Sequence, residues 1–206
     1  LFFDKVFGDI PANGDASGLK AEYRLSGGNT IFDFDTPQSV VIFGQKGIKR
    51  ADKDFFPAYV LNHILGGSGF GSKLMQELRE KNGLTYGIST YLVNWENADL
   101  LLGQFSSSND TAFKAVNMVK DVWKKLVSDG VSSEELEDAK TFLTGAYPLR
   151  FDGNSRIAKI LVGMQIQGLS VNYIRNRNQK INDVSLEDLK RVASRLLIED
   201  ELHFVI

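Results

Sequence analysis

Cysteine is absent from this chain of 206 residues and histidine occurs only twice, and these shortages exclude more chemistry than any other feature. Without thiols there is no disulfide, no thiolate nucleophile and no cysteine-based zinc site, and the redox compartment stays open. His63 and His203 each lack a second histidine one helical turn away, the spacing that sets two metal ligands on one helix face. No segment resembles the Gly-x-Ser-x-Gly turn of a serine triad, so both histidines are read as structural. No apolar run approaches the ~20 residues of a membrane-crossing helix, so this region reads as soluble, with its compartment unknown. One sign of charge is not in excess either. Lys and Arg number 24 against 26 Asp and Glu, and they are scattered, so nothing here would neutralise the phosphates of a nucleic acid.

What is present is ordinary for a folded domain. Hydrophobic residues are 43% and charged residues 24%, which argues against disorder, and the length suits one substantial core. The opening Leu1-Phe2-Phe3-Asp4 has neither a starting Met nor a charged stretch before an apolar one, so it reads as an internal segment. Phe2 to Phe7 can form a helix end, which Gly8, Pro11, Asn13 and Gly14 stop. Residues 1–28 are therefore read as a linker or tail, and residues 29–206 as a single domain.

Strand-like patterns occupy 29–35 and 38–45, carried by Ile31, Phe32 and Phe34 and then by Val40 to Phe43. Helical spacing follows from Phe55 to Leu65, ending at Gly66-Gly67, and Leu74, Met75 and Leu78 mark a second helix closed by Asn82-Gly83. Leu84 to Ser106, broken at Asn94 to Asn97, predicts a hairpin. Ala112, Ala115, Val116, Val119, Trp123 and Leu126 form one stripe, for which Asn109 or Asp110 is the expected cap. Ser132 with Glu135, and Ser185 with Asp188, stand at capping-box spacing. Ile157, Ile160, Leu161 and Met164 predict a further helix, with a short one from Ser170, and residues 202–206 a last strand. Strands in hairpin connection with interleaved helices predict an α+β fold, a mainly antiparallel sheet with helices packed on one face.

The segment Gly66-Gly67-Ser68-Gly69-Phe70-Gly71-Ser72-Lys73 is glycine-rich but is not a phosphate loop. It follows a helical pattern where a strand is needed, and Gly71 precedes Ser72-Lys73 where Gly-Lys-Ser/Thr is required. It can serve as a helix-to-helix turn, or as bare backbone that an extended peptide approaches. Downstream, Arg79 points away from Leu74 and Leu78, and Tyr86 lies just past the Asn82-Gly83 turn. Guanidinium donors suit peptide carbonyls and a phenolic O–H suits a developing oxyanion; a surface Arg and a half-buried Tyr are the plain alternative.

The run from Gly66 through Arg79-Glu80-Lys81-Asn82-Gly83-Leu84-Thr85-Tyr86-Gly87 resembles the C-terminal, non-zinc domain of the pitrilysin, insulin-degrading enzyme and mitochondrial processing peptidase family. The likeness extends to Phe43-Gly44-Gln45-Lys46-Gly47-Ile48, to Glu135 to Gly145 and to Asn154 to Leu169. The resemblance implies a half-domain that encloses a peptide chamber with a homologous, zinc-bearing half carrying His-x-x-Glu-His, a motif missing here. It assigns Arg79 and Tyr86 to substrate and transition-state support; Gly66, Gly67, Ser68 and Gly69 are offered as substrate-binding backbone by the residues alone, in a run shorter than the glycine loop of the family's non-catalytic processing-peptidase subunit. It implies no metal bound by this chain, zinc in the partner half, and a peptide as substrate. A structural subunit of the same fold without proteolysis is the alternative.

Overall fold

In the computed structural model, which describes residues 1–11, 26–95 and 98–206, period-two alternation builds a five-stranded sheet ordered β1-β5-β2-β4-β3. Its strands are β1 (Gly28–Thr30), β2 (Gln38–Lys46), β3 (Ile88–Asn94), β4 (Asp99–Ser108) and β5 (His203–Val205). Only the β1–β5 pair is parallel; β2 runs antiparallel to both β4 and β5, and β3 to β4. Along β2, Val41, Phe43 and Gln45 are buried whereas Val40 and Ile42 are exposed. Helices thus cover one face, as the α+β pattern predicts.

The helices are α1 (Phe2–Phe7), α2 (Phe55–Asn62), α3 (Ala112–Asp129), α4 (Ser133–Gly145), α5 (Asn154–Ile166), α6 (Asn172–Asn182) and α7 (Leu186–Leu196). Helix α2 continues into a wider π turn, His63–Gly67. Both capping boxes form: Ser132 with Glu135 starts α4, and Ser185 with Asp188 starts α7. Each satisfies orphan N–H groups at the helix start by contacts only three residues apart, which makes them legible locally.

The core centres on Phe43, stacked on Phe204 at 5.4 Å and edge-on to Trp123 at 5.9 Å. Its ring lies over Gly103, its partner across the sheet. A Cβ at Gly103 would come within 2.2 Å of that ring, so only glycine admits it. Gln45 is buried beside this cluster with both ends of its amide bonded: Nε2 donates to the Leu196 carbonyl and Oε1 accepts from Trp123 Nε1 at 2.9 Å. Sheet, α3 and α7 are thereby joined through one side chain.

Several sequence expectations change. The strand expected over 29–35 stops at Thr30, where its pairing with β5 ends at Val205; Ile31, Phe32 and Phe34 are exposed. The N-cap of α3 is Thr111, without a side-chain cap bond. Asn109 ties the chain back to β2 instead, accepting from Ser39 Oγ and donating to the Thr36 carbonyl. Of the α5 stripe only Met164 is buried, because α5 rests on the Pro148–Phe151 turn and not on the sheet. Residues 12–25, half of the expected tail and including Asn13 and Gly14, and Glu96 and Asn97 of the hairpin turn lie outside the described residues.

An ion network ties the loop before α2 to α7. Arg195 donates to Asp52 at 2.7 Å and to Asp54 at 2.8 Å, and Arg191 donates to Asp54 at 2.7 Å. The Arg195 hydrogen bond holds the Asp52 carboxyl down at about 2, and the Arg191 hydrogen bond holds Asp54 below its ordinary value. Both folded-state values are depressed, so this stabilisation is complete above the ordinary carboxylate range and is lost as pH falls through it toward about 2. The denaturant midpoint should therefore drop from pH 5 to pH 2, and Asp52→Asn with Asp54→Asn should flatten that slope.

Candidate functional site

Arg79 sits in a π turn, Met75–Lys81, that buries Met75 and Leu78. A helix ends there because Gly83 adopts a left-handed φ of +61° and Leu84 N–H returns to the Leu78 carbonyl at 2.8 Å. The guanidinium of Arg79 lies 4.5 Å from the Phe70 ring centroid, and its Nε is 3.5 Å from the Glu80 carboxylate. Phe70 comes from the 3-10 turn Gly69–Gly71. The structure thus joins Arg79 to the glycine-rich segment through an aromatic that sequence reasoning passed over; a single aromatic among glycines, nine positions before an arginine, was the available signal.

Tyr86 precedes β3 and does not belong to it. The backbone on both sides of it is fixed. Leu84 and Thr85 are buried before it and Ile88 after it. Thr85 Oγ1 accepts from Gly87 N–H at 3.1 Å and lies 2.7 Å from the Ser106 carbonyl, to which it can donate, while Ser107 Oγ donates to the Leu84 carbonyl. The phenol itself is 85% exposed, more than the half-buried alternative assumes, and no hydrogen bond among the described residues joins it to Arg79. A large aromatic group is therefore held in solvent by a pinned turn.

The glycines differ among themselves. Gly66 is buried, and a Cβ there would meet Thr90 Oγ1 at 2.4 Å and Thr90 N at 2.9 Å, which is a packing reason for glycine. Gly67 and Gly69 are exposed and Ser68 is half-buried. Gly69 has φ +67° and open space around it. Lys73, at the base of the same helix, donates to Glu135, which also accepts from Ser132 N–H in the α4 capping box. Burial alone would raise the Glu135 carboxyl, but Lys73 and Ser132 hold it below its ordinary value.

Neither histidine belongs to a metal-binding group among the described residues. His63 is buried and stacked on Phe142 at 5.0 Å, and burial pushes its imidazole below the usual value, toward the neutral form. His203 lies 2.9 Å from the Ser26 carbonyl through Nδ1 and 2.8 Å from Thr30 Oγ1 through Nε2. Its Nδ1 therefore carries the proton when the ring is neutral, and Nε2 accepts from Thr30. Among the described residues no three or more His, Cys, Asp or Glu side chains could hold a metal, and no helix is long and apolar enough to cross a membrane.

An α+β domain, with no metal-holding cluster among its described residues, that displays an arginine, a tyrosine and a glycine turn around one helix-turn-strand unit is the class so defined. Residues 2–143 match the peptidase M16 inactive domain. The chain belongs to this family of zinc-protease domains. It is 32% identical over 156 residues to the non-peptidase homologue YmxG of Helicobacter pylori, covering 75% of this chain and 36% of that protein. It is 28% identical over 204 residues to the uncharacterized zinc protease YmxG of Bacillus subtilis, covering 96% of this chain and 48% of that one. The crystal structure of a peptidase M16 inactive domain from Pseudomonas fluorescens superposes with a TM-score of 0.86 at 25% identity, covering 98% of this chain and 48% of that one. The chain thus spans about half the length, or less, of the curated relatives it matches.

The zinc implied by the family does not fit the described residues of this domain, because both His203 ring nitrogens are hydrogen-bonded and no three or more His, Asp or Glu side chains come together around either histidine. The purified chain should accordingly carry no stoichiometric zinc by elemental analysis, and a chelator should leave its melting temperature unchanged. One tightly held zinc, lost on His63→Ala, would contradict this.

Proposed function

We propose that the chain is the substrate-binding, zinc-free half of a zinc metallopeptidase that acts on peptides or unfolded segments. The observation that carries this reading is Tyr86, a phenol 85% exposed on a pinned backbone, following the helix that bears Arg79. Burial gives no account of a tyrosine so held, whereas donation to an oxyanion uses both its exposure and its fixed position. Arg79 supplies guanidinium donors to substrate carbonyls, and exposed backbone at Gly67 and Gly69, with Gly66 and Ser68 behind it, flanks an extended peptide. The metal-activated water comes from a homologous half carrying the zinc. In this reading residues 29–206 act as one unit and residues 1–28 lead into it.

The name of the Helicobacter relative, a non-peptidase homologue, favours a second reading, a subunit that keeps the fold and performs no proteolysis. Assembling the chain with its zinc-bearing half and offering an unstructured peptide separates the two. The first reading expects chelator-sensitive cleavage by the assembly, none by this chain alone, and co-elution of the halves. An assembly that holds zinc yet leaves the peptide intact supports the second.

A further inference from the structure

Away from Arg79 and Tyr86, a cleft of about 260 Å³ opens between α2, the Pro148–Phe151 turn, α5 and α6. Three arginines, Arg50, Arg150 and Arg177, and three tyrosines, Tyr59, Tyr147 and Tyr173, line it, and no Asp or Glu does. Arg177 is only 4% exposed. Among the described residues, no carboxylate comes within 4.0 Å of any of the three guanidiniums. A buried cation without an acid is costly unless other groups answer its charge.

Part of that charge has a structural answer. Arg177 Nη1 donates to the Leu143 carbonyl in the last turn of α4 and to Asn178 Oδ1, both at 3.0 Å, and Nη2 donates to the Tyr59 hydroxyl at 3.3 Å. The Tyr147 ring covers one face of the guanidinium at 4.1 Å. A guanidinium has five N–H donors, so Nε–H and one Nη2–H remain without an acceptor among the described residues. Arg50 is likewise set in place by aromatics: it lies over Phe55 at 4.1 Å and Tyr173 at 5.1 Å, and it donates to the Tyr173 hydroxyl. Burial raises the Tyr147 phenol above its usual range, with Tyr173 adding to this. It stays protonated at neutral pH, and its hydroxyl bonds to no group among the described residues.

We propose that this cleft binds a small oxyanion, a phosphate or a carboxylate, between Arg50, Arg150 and Arg177, with the Tyr147 hydroxyl as a further donor. Planar guanidinium forks match both anions, and the aromatic packing fixes two of them before the ligand arrives. The anion supplies the negative charge that the lining lacks. No residue is shared with the Arg79 and Tyr86 site, so the two proposals stand or fall separately.

Calorimetric titration of the protein with inorganic phosphate, and with an acetylated dipeptide bearing either a free C-terminal carboxylate or its amide, tests this. Saturable one-to-one binding is expected for phosphate, for the free acid, or for both, and never for the amide. Phosphate alone identifies a phosphate site, and the acid alone a peptide-terminus site. Arg150 is exposed and makes no structural contact of the kind Arg177 makes, so Arg150→Ala should fold normally and weaken binding about tenfold or more, the loss expected for one charge-assisted contact. Lys114→Ala, an exposed cation on α3, is the charge control and should bind as wild type. Absence of saturable binding by either anion at millimolar concentration, or equal losses in Arg150→Ala and Lys114→Ala, would overturn the proposal.

Discussion

Tyr86→Phe in the assembled peptidase is expected to lower kcat on the order of a hundred- to a thousandfold, the usual cost of one oxyanion donor. The substitution removes a hydroxyl that bonds to nothing among the described residues and leaves the ring exposed as before, so folding stability should move by well under about 1 kcal/mol. That separation of activity from stability is the diagnostic feature. Arg79→Ala should behave differently, raising KM as well as lowering kcat, because its donors meet carbonyls already present in the bound substrate. Loss of the guanidinium also frees Phe70 from its 4.5 Å contact, so part of the KM change should travel through the glycine turn. Wild-type hydrolysis in both variants, or losses matched by unfolding, would return the pair to a surface role.

Trp123→Ala should be the most destabilising single change, at about 3–5 kcal/mol by denaturant unfolding. Trp123 has no exposed surface, and it is packed edge-on against Phe43. Truncation leaves a cavity that the sheet, held in register on both sides of β2, cannot close. It also strands Gln45 Oε1, whose donor is the indole N–H. Trp123→Phe fills much of the space yet still removes that donor, so it should recover part of the loss and leave about 1–3 kcal/mol, the cost of one buried unsatisfied acceptor.

The features legible in the sequence were those set by neighbours three or four positions apart. Ser132 with Glu135 and Ser185 with Asp188 announce helix starts because both partners of each box lie in one turn. The stripe of α3 is equally local. Phe32 and Phe34 misled because β propensity describes a half-buried pleated surface: past Thr30 the Phe32 N–H still reaches the Ile206 carbonyl, but both side chains stay exposed. The π turn at Met75–Lys81 was hidden for another reason: Leu74, Met75 and Leu78 suit a helical face whether or not the turn widens. At the candidate site, residue types left Arg79 and Tyr86 open between a site and a plain surface pair, and the family resemblance singled them out, but only the fold could say that the phenol stands in solvent and that Phe70 meets the guanidinium. The arginine cleft was beyond reach, since residues 50, 150 and 177 meet only through the packing of α2, α5 and α6.

The parallel edge of the sheet has a mechanical consequence. Gly28 N–H bonds to the Leu202 carbonyl at 3.0 Å, Ile206 N–H to the Thr30 carbonyl at 2.9 Å and Phe32 N–H to the Ile206 carbonyl at 2.7 Å. Because β1 and β5 point the same way, a tension applied between residue 26 and residue 206 slides one strand along the other and loads these bonds together in shear. An antiparallel pair pulled at adjacent ends would unzip them one after another. An unfolding machine that draws on residues 26 and 206 must therefore break these bonds together, although the pairing itself is only three residues long.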